Sequence, residues 1–314
     1  MSARAWFLFG LVSIVWGTPY FFIKIAVGEV HPTMIVFVRT LLTVLVLLPL
    51  AIRRGALRPV LRRWRAVLAL AALEIIAPFL LITYGEKWVS SSLAGLLIAT
   101  LPLLVALLAM WIDVTERASG MRLVGMLIGL SGVGLVLGFD LTGGPAQLLG
   151  AALILLATLC YAGGTFVLKL RLSDVSTVAV IAAASVVAVV VLAPAAMLNL
   201  PATVPSPGVW LSLAALGLLC TAVALVAYAA LITETGPGRA TVITYINPAV
   251  AVILGVTLLG EPLTATVAAG FLLIIAGSWL STGGTLPPRL LALARSPRVP
   301  RSRPLPDIGG ELVG

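Results

Sequence analysis

Charged side chains are scarce in this chain: Asp, Glu, Lys and Arg make up 10% of its 314 residues, against roughly 25% in a soluble domain. Histidine occurs once and cysteine twice. So thin a supply of polar chemistry argues against an enzyme, and the motifs agree. There is no Gly-x-Ser-x-Gly, no His-Glu-x-x-His, no phosphate-cradling Gly-x-x-x-x-Gly-Lys loop and no aspartate-rich metal motif. The single histidine, His31, stands beside Pro32 in a short predicted loop and reads as a loop residue rather than a catalyst. Cys160 and Cys220 fall inside predicted helices, where neither a disulfide nor a metal site is expected. No cofactor or metal is called for.

What is abundant is apolar sequence, 61% of the chain, with a mean hydropathy of +1.18. Runs near the roughly 20 residues that cross about 30 Å of hydrocarbon recur at 5–27, 33–52, 66–85, 91–111, 121–139, 147–168, 176–197, 209–231, 239–259 and 264–283. A membrane barrel would alternate polar and apolar residues, and runs such as Leu41 to Leu50 do not. The first run holds Trp16-Gly17-Thr18-Pro19-Tyr20 and has no small-x-small cleavage site after it, so it reads as a retained helix. The expectation is an all-α membrane protein with ten transmembrane helices.

These helices fall into two similar halves. Pro102, Glu116, Gly125 and Gly132 recur as Pro248, Glu261, Gly270 and Gly277, an offset of 145 positions except at the prolines, where it is 146. Trp16, Tyr20 and Lys24, one stripe on a helix face, map by the same offset onto Tyr161, Thr165 and Lys169. The halves are residues 1–141 and 146–284, joined by a turn at Thr142-Gly143-Gly144-Pro145; a Pro- and Arg-rich tail, 285–314, reads as disordered and cytoplasmic. Five crossings per half would insert the second half inverted relative to the first, the plan of many alternating-access transporters.

The net charge of +9 suggests nucleic acid until the charges are placed. Arg4, the six Arg between Arg53 and Arg65, Arg117, Arg122, Lys169, Arg171, Arg239 and the five Arg from Arg289 to Arg303 fall on one side, which is 17 of 20 basic residues. Lys87 falls on the other, with Lys24 and Arg39 inside helices and Lys24 snorkelling to water at the outer boundary. The positive-inside rule then predicts an inner-membrane protein with both termini cytoplasmic. Its basic face would meet anionic lipid of the inner leaflet, not a polynucleotide.

Two ionisable groups lie deep in predicted helices, Arg39 and Glu74. A charge there costs at least about 2.5 to 3.5 kcal/mol on insertion scales, so each should face a cavity, a partner or a solute. Glu74 reads as a proton carrier or a binder of a solute amine; an ion pair with Arg39 is the structural alternative. Mid-helix aromatics, Trp16, Tyr20, Tyr161, Tyr228 and Tyr245, sit deeper than an interfacial belt would place them. Asn247 precedes Pro248 in the middle of the ninth run, where a break would expose backbone acceptors or would merely kink the helix. Breaks are expected in matched places, Pro102 with Pro248 and Pro19 with Gly164, while Gly125, Gly129, Gly132, Gly270 and Gly277 look like close-packing faces of scaffold helices.

Taken in order, Trp16-Gly17, Lys24, Pro32 and Arg39 resemble the opening of the EamA-type drug/metabolite transporters, and the blocks Pro102 to Gly132 and Pro248 to Gly277 resemble the ends of its two repeats. Gly260-Glu261-Pro262-Leu263 is similar to the family's Gly-Glu-x-Leu turn; Val114-Thr115-Glu116-Arg117 lacks the glycine. The resemblance covers residues 5–284. It implies a ten-helix inverted-repeat transporter with a central cavity, commonly an exporter of amino acids, related metabolites or drugs. Ala184 at the position matching Arg39, and Glu74 itself, depart from the expected pattern. The function expected is therefore a secondary transporter, monomeric or homodimeric, that exports a small metabolite such as an amino acid, with proton coupling as one energy source. Another cargo, such as a drug or an anionic sugar conjugate, and a non-transporting membrane interaction protein are the alternatives. The solute would be bound by Trp16, Tyr20, Arg39, Glu74, Tyr161, Tyr228, Tyr245 and Asn247.

Overall fold

The computed structural model describes residues 1–112, 120–139, 144–236 and 241–281, and among them every regular element is helical. Glu116, Arg117, Arg239, part of the 142–145 turn and the 285–314 tail lie outside the described residues. Among the described residues seven segments are long and apolar enough to cross a membrane: α1 (Ala3–Ala26), α2 (Pro32–Arg53), α3 (Trp64–Gly85), α4 (Ser91–Trp111), α6 (Gly144–Arg171), α7 (Thr177–Met197) and α8 (Pro207–Thr235). Three shorter apolar helices accompany them: α5 (Met121–Phe139), α9 (Asn247–Leu259) and α10 (Ala265–Ser281).

Local chemistry sets the ends. Ser2 and Ser90 hydroxyls accept from the amides of Ala5 and Leu93, satisfying donors that lipid could not. Pro32 and Pro207 open α2 and α8, where a missing N–H costs nothing. Gly260, at φ 67°, closes α9 in the left-handed region.

The interruptions follow proline. α1 is broken at Thr18, whose amide turns back to the Val15 carbonyl before Pro19 restarts the helix. α4 is parted at Ala99–Thr100, ahead of Leu101 and Pro102. A 3-10 turn, Thr241–Tyr245, precedes Asn247 and Pro248. Asn247 is thus the first residue of α9 rather than a mid-helix position. Gly164 is a second correction: α6 runs unbroken from Gly144 to Arg171, because a lone glycine removes no backbone donor. Two π-helical segments, Ala71–Ile76 in α3 and Ala215–Val223 in α8, were not foreseen. Such turns shift side-chain register and recur at functional sites.

α5 and α10 pack backbone against backbone. A Cβ built on Gly277 would meet the Gly129 nitrogen at 2.3 Å and the Gly125 carbonyl at 2.6 Å; one on Gly132 would meet the Gly270 carbonyl at 2.9 Å. These are backbone atoms and cannot step aside. Gly277→Val is therefore expected to destabilise the protein by about 1–3 kcal/mol, read as a lowered thermal midpoint in detergent or lipid. Gly134→Ala, whose Cβ meets nothing within 4 Å, is the matched control expected to leave the midpoint unchanged.

Large apolar side chains such as Phe7, Trp111, Val190 and Leu272 point outward, as a lipid-facing surface requires. Two side-chain tethers tie the sequence halves together at opposite ends of α2. At one, the Glu29 carboxylate accepts from the Ser206 amide and hydroxyl, both at 2.7 Å. At the other, Arg63 holds both oxygens of Asp174 and donates to the Arg171 carbonyl at 2.7 Å. Lys24 does not snorkel to water: its Nζ donates to the carbonyls of Glu86 and Val89, at 2.8 and 2.7 Å.

Candidate functional site

The breaks and π-turns converge on one cavity of about 250 Å³, lined from both halves of the chain. α1 contributes Trp16, Pro19 and Tyr20; α2, Arg39; α3, Glu74 and Phe79; α6, Tyr161; α8, Cys220 and Thr221; and α9, Asn247 and Pro248. The wall is mostly apolar with a few polar groups, the usual make-up of a small-molecule site.

Arg39 is the cation of this cavity. Its Nε donates to the Thr221 hydroxyl at 3.0 Å, and Cζ lies 3.7 Å from the centroid of the Phe79 ring. The Thr221 hydroxyl in turn donates to the carbonyl of Leu216, five residues back, which is the spacing of the π-turn it stands in. The π-turn of α8 therefore orients the arginine, and Phe79 supports its plane. Among the described residues no other protein group bonds the guanidinium, so its two terminal nitrogens remain for a ligand in the cavity.

Glu74 stands in the other π-turn, on α3. Its Oε2 is buried with no hydrogen-bond partner and lies against Gly164, where a Cβ would come within 2.2 Å. Gly164 thus makes room for this carboxyl. The ion pairs among the described residues are Arg4 with Glu234 and Arg63 with Asp174, so Arg39 and Glu74 are more than 4.0 Å apart and do not pair. Tyr161 stands within electrostatic reach of both. One small hollow accordingly offers a cation and an acid that do not pair with each other, with the aromatic hydroxyl of Tyr161 in the same lining.

Of the eight residues expected from sequence, Trp16, Tyr20, Arg39, Glu74, Tyr161 and Asn247 line the cavity. Tyr228 does not; it packs behind Trp16, ring centroids 4.7 Å apart and tilted 53°. Tyr245 also lies outside the lining, its hydroxyl directed to the Ser278 carbonyl at 3.5 Å. Asn247, with its amide oriented to satisfy its neighbours, donates to the carbonyls of Ser13 and Ile243, each at 2.9 Å, and so clamps the start of α9 to α1. Its amide nitrogen is spent on the backbone, which leaves its carbonyl oxygen as the group it can offer a solute. Sequence reading missed Phe79 and Thr221, since neither residue type signals a partner for arginine and the π-turns that aim them leave no mark in composition.

Residues 4–138 and 148–283 each match the model of the EamA-like transporter family. The chain is 33% identical over 255 residues to the uncharacterized inner membrane transporter YedA of Escherichia coli (strain K12), covering 80% of this chain and 81% of that one. It is 25% identical over 281 residues to the uncharacterized transporter YvbV of Bacillus subtilis (strain 168), covering 87% and 90%. A solved crystal structure at 21% identity superposes with a TM-score of 0.64 over 94% of this chain and 99% of its own, a likeness of fold.

Proposed function

The chain belongs to the EamA-like transporter family and is a membrane transporter, and we propose that it exports a small zwitterionic metabolite, an amino acid or close relative, by secondary active alternating access. The observation that carries this reading is the unpaired Arg39 and Glu74 in one cavity shared by both halves. A solute carboxylate suits the planar arginine fork, and a solute ammonium suits the carboxylate of Glu74, which lines the same cavity. Trp16, Tyr20 and Tyr161 would bracket the solute's apolar portion. An anionic conjugate would want several cavity cations; Lys24 is spent on two carbonyls, and Arg39 is the cation among the lining residues.

We take the architecture to be ten crossings in two inverted repeats, in the inner membrane with both termini cytoplasmic. Contacts that recur with the sequence period support it. Glu29 and Asp174 are 145 positions apart, and each carboxylate ties the loop after the first helix of its half to the start of the third helix of the other. The approach of Gly132 to Gly270 has its counterpart, by the same offset, in that of Gly277 to Gly125. Tags at the amino end and in the 285–314 tail are expected to be reachable from the cytoplasmic face only; tags reached from opposite faces would contradict the inverted plan.

Untargeted metabolite analysis of cells and medium, with the gene overexpressed and deleted, tests the function. Overexpression is expected to move a zwitterionic metabolite from cells to medium and deletion to retain it. A sugar phosphate or other multiply anionic solute moving instead would overturn the assignment.

A further inference from the structure

At the end of the bundle away from the Arg63–Asp174 tether, two connections and the end of α1 meet in a polar cluster. Lys24 of α1 holds the Glu86 and Val89 carbonyls between α3 and α4. The Glu261 carboxylate, just beyond α9, accepts from the Ser91 and Ser92 amides at 2.7 and 2.9 Å and from the Ser92 hydroxyl at 2.6 Å, capping α4. Gly255 of α9 is pressed against the same groups: a Cβ there would come within 2.2 Å of the Ser92 hydroxyl and 2.3 Å of Glu261 Oε2. This latch joins elements of both sequence halves.

Inside it lies Glu86, immediately after α3, with no exposed surface and with both carboxyl oxygens lacking a hydrogen-bond partner. Lys24 donates to backbone carbonyls and forms no ion pair with Glu86 within 4.0 Å. An ionised carboxylate so placed would lose its water and gain no hydrogen bond in return, whereas the neutral acid loses far less. The groups that act on Glu86 are Lys24 and Tyr20 of α1, Arg39 of α2 and Glu261. Burial pushes the Glu86 carboxyl well above the usual carboxylate range; Lys24 and Arg39 pull it down and Glu261 pushes it up.

We propose that Glu86 is a proton-binding site of this latch: the protonated carboxyl keeps this end of the bundle closed, and loss of that proton to bulk water opens it. The orientation proposed above puts the latch on the outer face, so Glu86 takes up and releases protons there. The sign follows from linkage. The closed state binds the proton more tightly than the open, hydrated state, so acid favours closure and rising pH through the closed-state value favours opening.

The test uses the full chain in right-side-out membrane vesicles, with Cys160 and Cys220 replaced by Ala and Val89→Cys introduced. Val89 is 1% exposed and packs on Gly150, so a thiol there is reached only when the latch opens. The rate of labelling by a membrane-impermeant maleimide is measured against external pH. It is divided by the rate for Lys87→Cys in the same background, an exposed neighbour that corrects for thiol reactivity. The normalised rate is expected to rise about tenfold or more as external pH is raised above the usual carboxylate range, a factor of ten for each unit by which the two states differ. Glu86→Gln, always neutral, is expected to stay low and flat. Glu86→Asp is expected to keep the rise with its midpoint moved, so the result does not depend on the glutamine variant folding. A flat profile without the Glu86 change, an unmoved midpoint in Glu86→Asp, or a rate that follows added sodium at fixed pH would each overturn the proton site. Labelling needs no transported solute, so it stands apart from failure of the zwitterion assignment. The same pH rise seen only in inverted vesicles would support the proton site and refute the orientation.

Discussion

Arg39→Ala is expected to lower solute affinity and flux by about 10- to 150-fold while leaving the protein folded. Hydrogen bonds to charged groups contribute about 1.5–3 kcal/mol each, and every 1.4 kcal/mol is a factor of ten in binding. The terminal guanidinium nitrogens face the cavity, so a solute carboxylate loses its fork when they are removed. Stability should suffer little, because the variant also relieves the desolvation of a buried cation and leaves Thr221 bonded to the Leu216 carbonyl. Arg39→Lys is expected to recover only part of the loss: an ammonium has no planar fork, stacks less well on Phe79 and cannot reproduce the Nε bond to Thr221. Initial rates and apparent KM in proteoliposomes, beside thermal midpoints of the same preparations, check all three points. Full transport in Arg39→Ala would remove arginine from the binding site.

Glu74→Gln is expected to reduce accumulation driven by a pH gradient to that of empty liposomes. The buried Oε2 has no protein partner and rests on Gly164, so an ionised Glu74 needs a counter-charge brought by the solute, and an unoccupied one needs a proton. A group that takes either cation at one place couples their movements, because the two cannot be bound there together. Glutamine keeps the size and loses the charge, so the exchange of proton for solute is lost. Gly164→Ala should act in the same direction, since its methyl group would come within 2.2 Å of the carboxyl oxygen and displace it. Gradient dependence unchanged in Glu74→Gln would eliminate the proton role.

Much of this site is legible in the sequence, and the exceptions share a cause. Pro19, Pro102 and Pro248 forecast helix interruptions because the missing N–H acts locally, whatever the helix packs against. Gly125, Gly132, Gly270 and Gly277 forecast close-packing faces for a similar reason: without Cβ atoms two backbones can touch, and here the two faces meet each other. Gly164 shows where such reading stops. Its absent side chain serves a carboxyl on another helix, and nothing near it in the sequence says so. The depth of Arg39 and Glu74 could be counted along their helices, but whether they pair depends on rotation about the helix axes, which the π-turn of α3 alters for Glu74, as that of α8 does for Thr221, by changing the residues per turn. For the same reason Phe79 and Thr221 were invisible as partners of Arg39. Lys24 was read as a cation seeking water because the turn that supplies its two carbonyls, Glu86 to Val89, carries no mark of its fold in one dimension.

Counterflow in proteoliposomes tests the two-pole cavity most directly. The protein, reconstituted with an internal pool of the exported amino acid, takes up external label, and three unlabelled competitors are compared: the amino acid, its methyl ester and its N-acetyl derivative. The zwitterion is expected to compete, while the ester, which has no anion for Arg39, and the acetylated form, which has no cation for Glu74, are each expected to fail. Equal competition by the ester or by the N-acetyl compound would contradict the account.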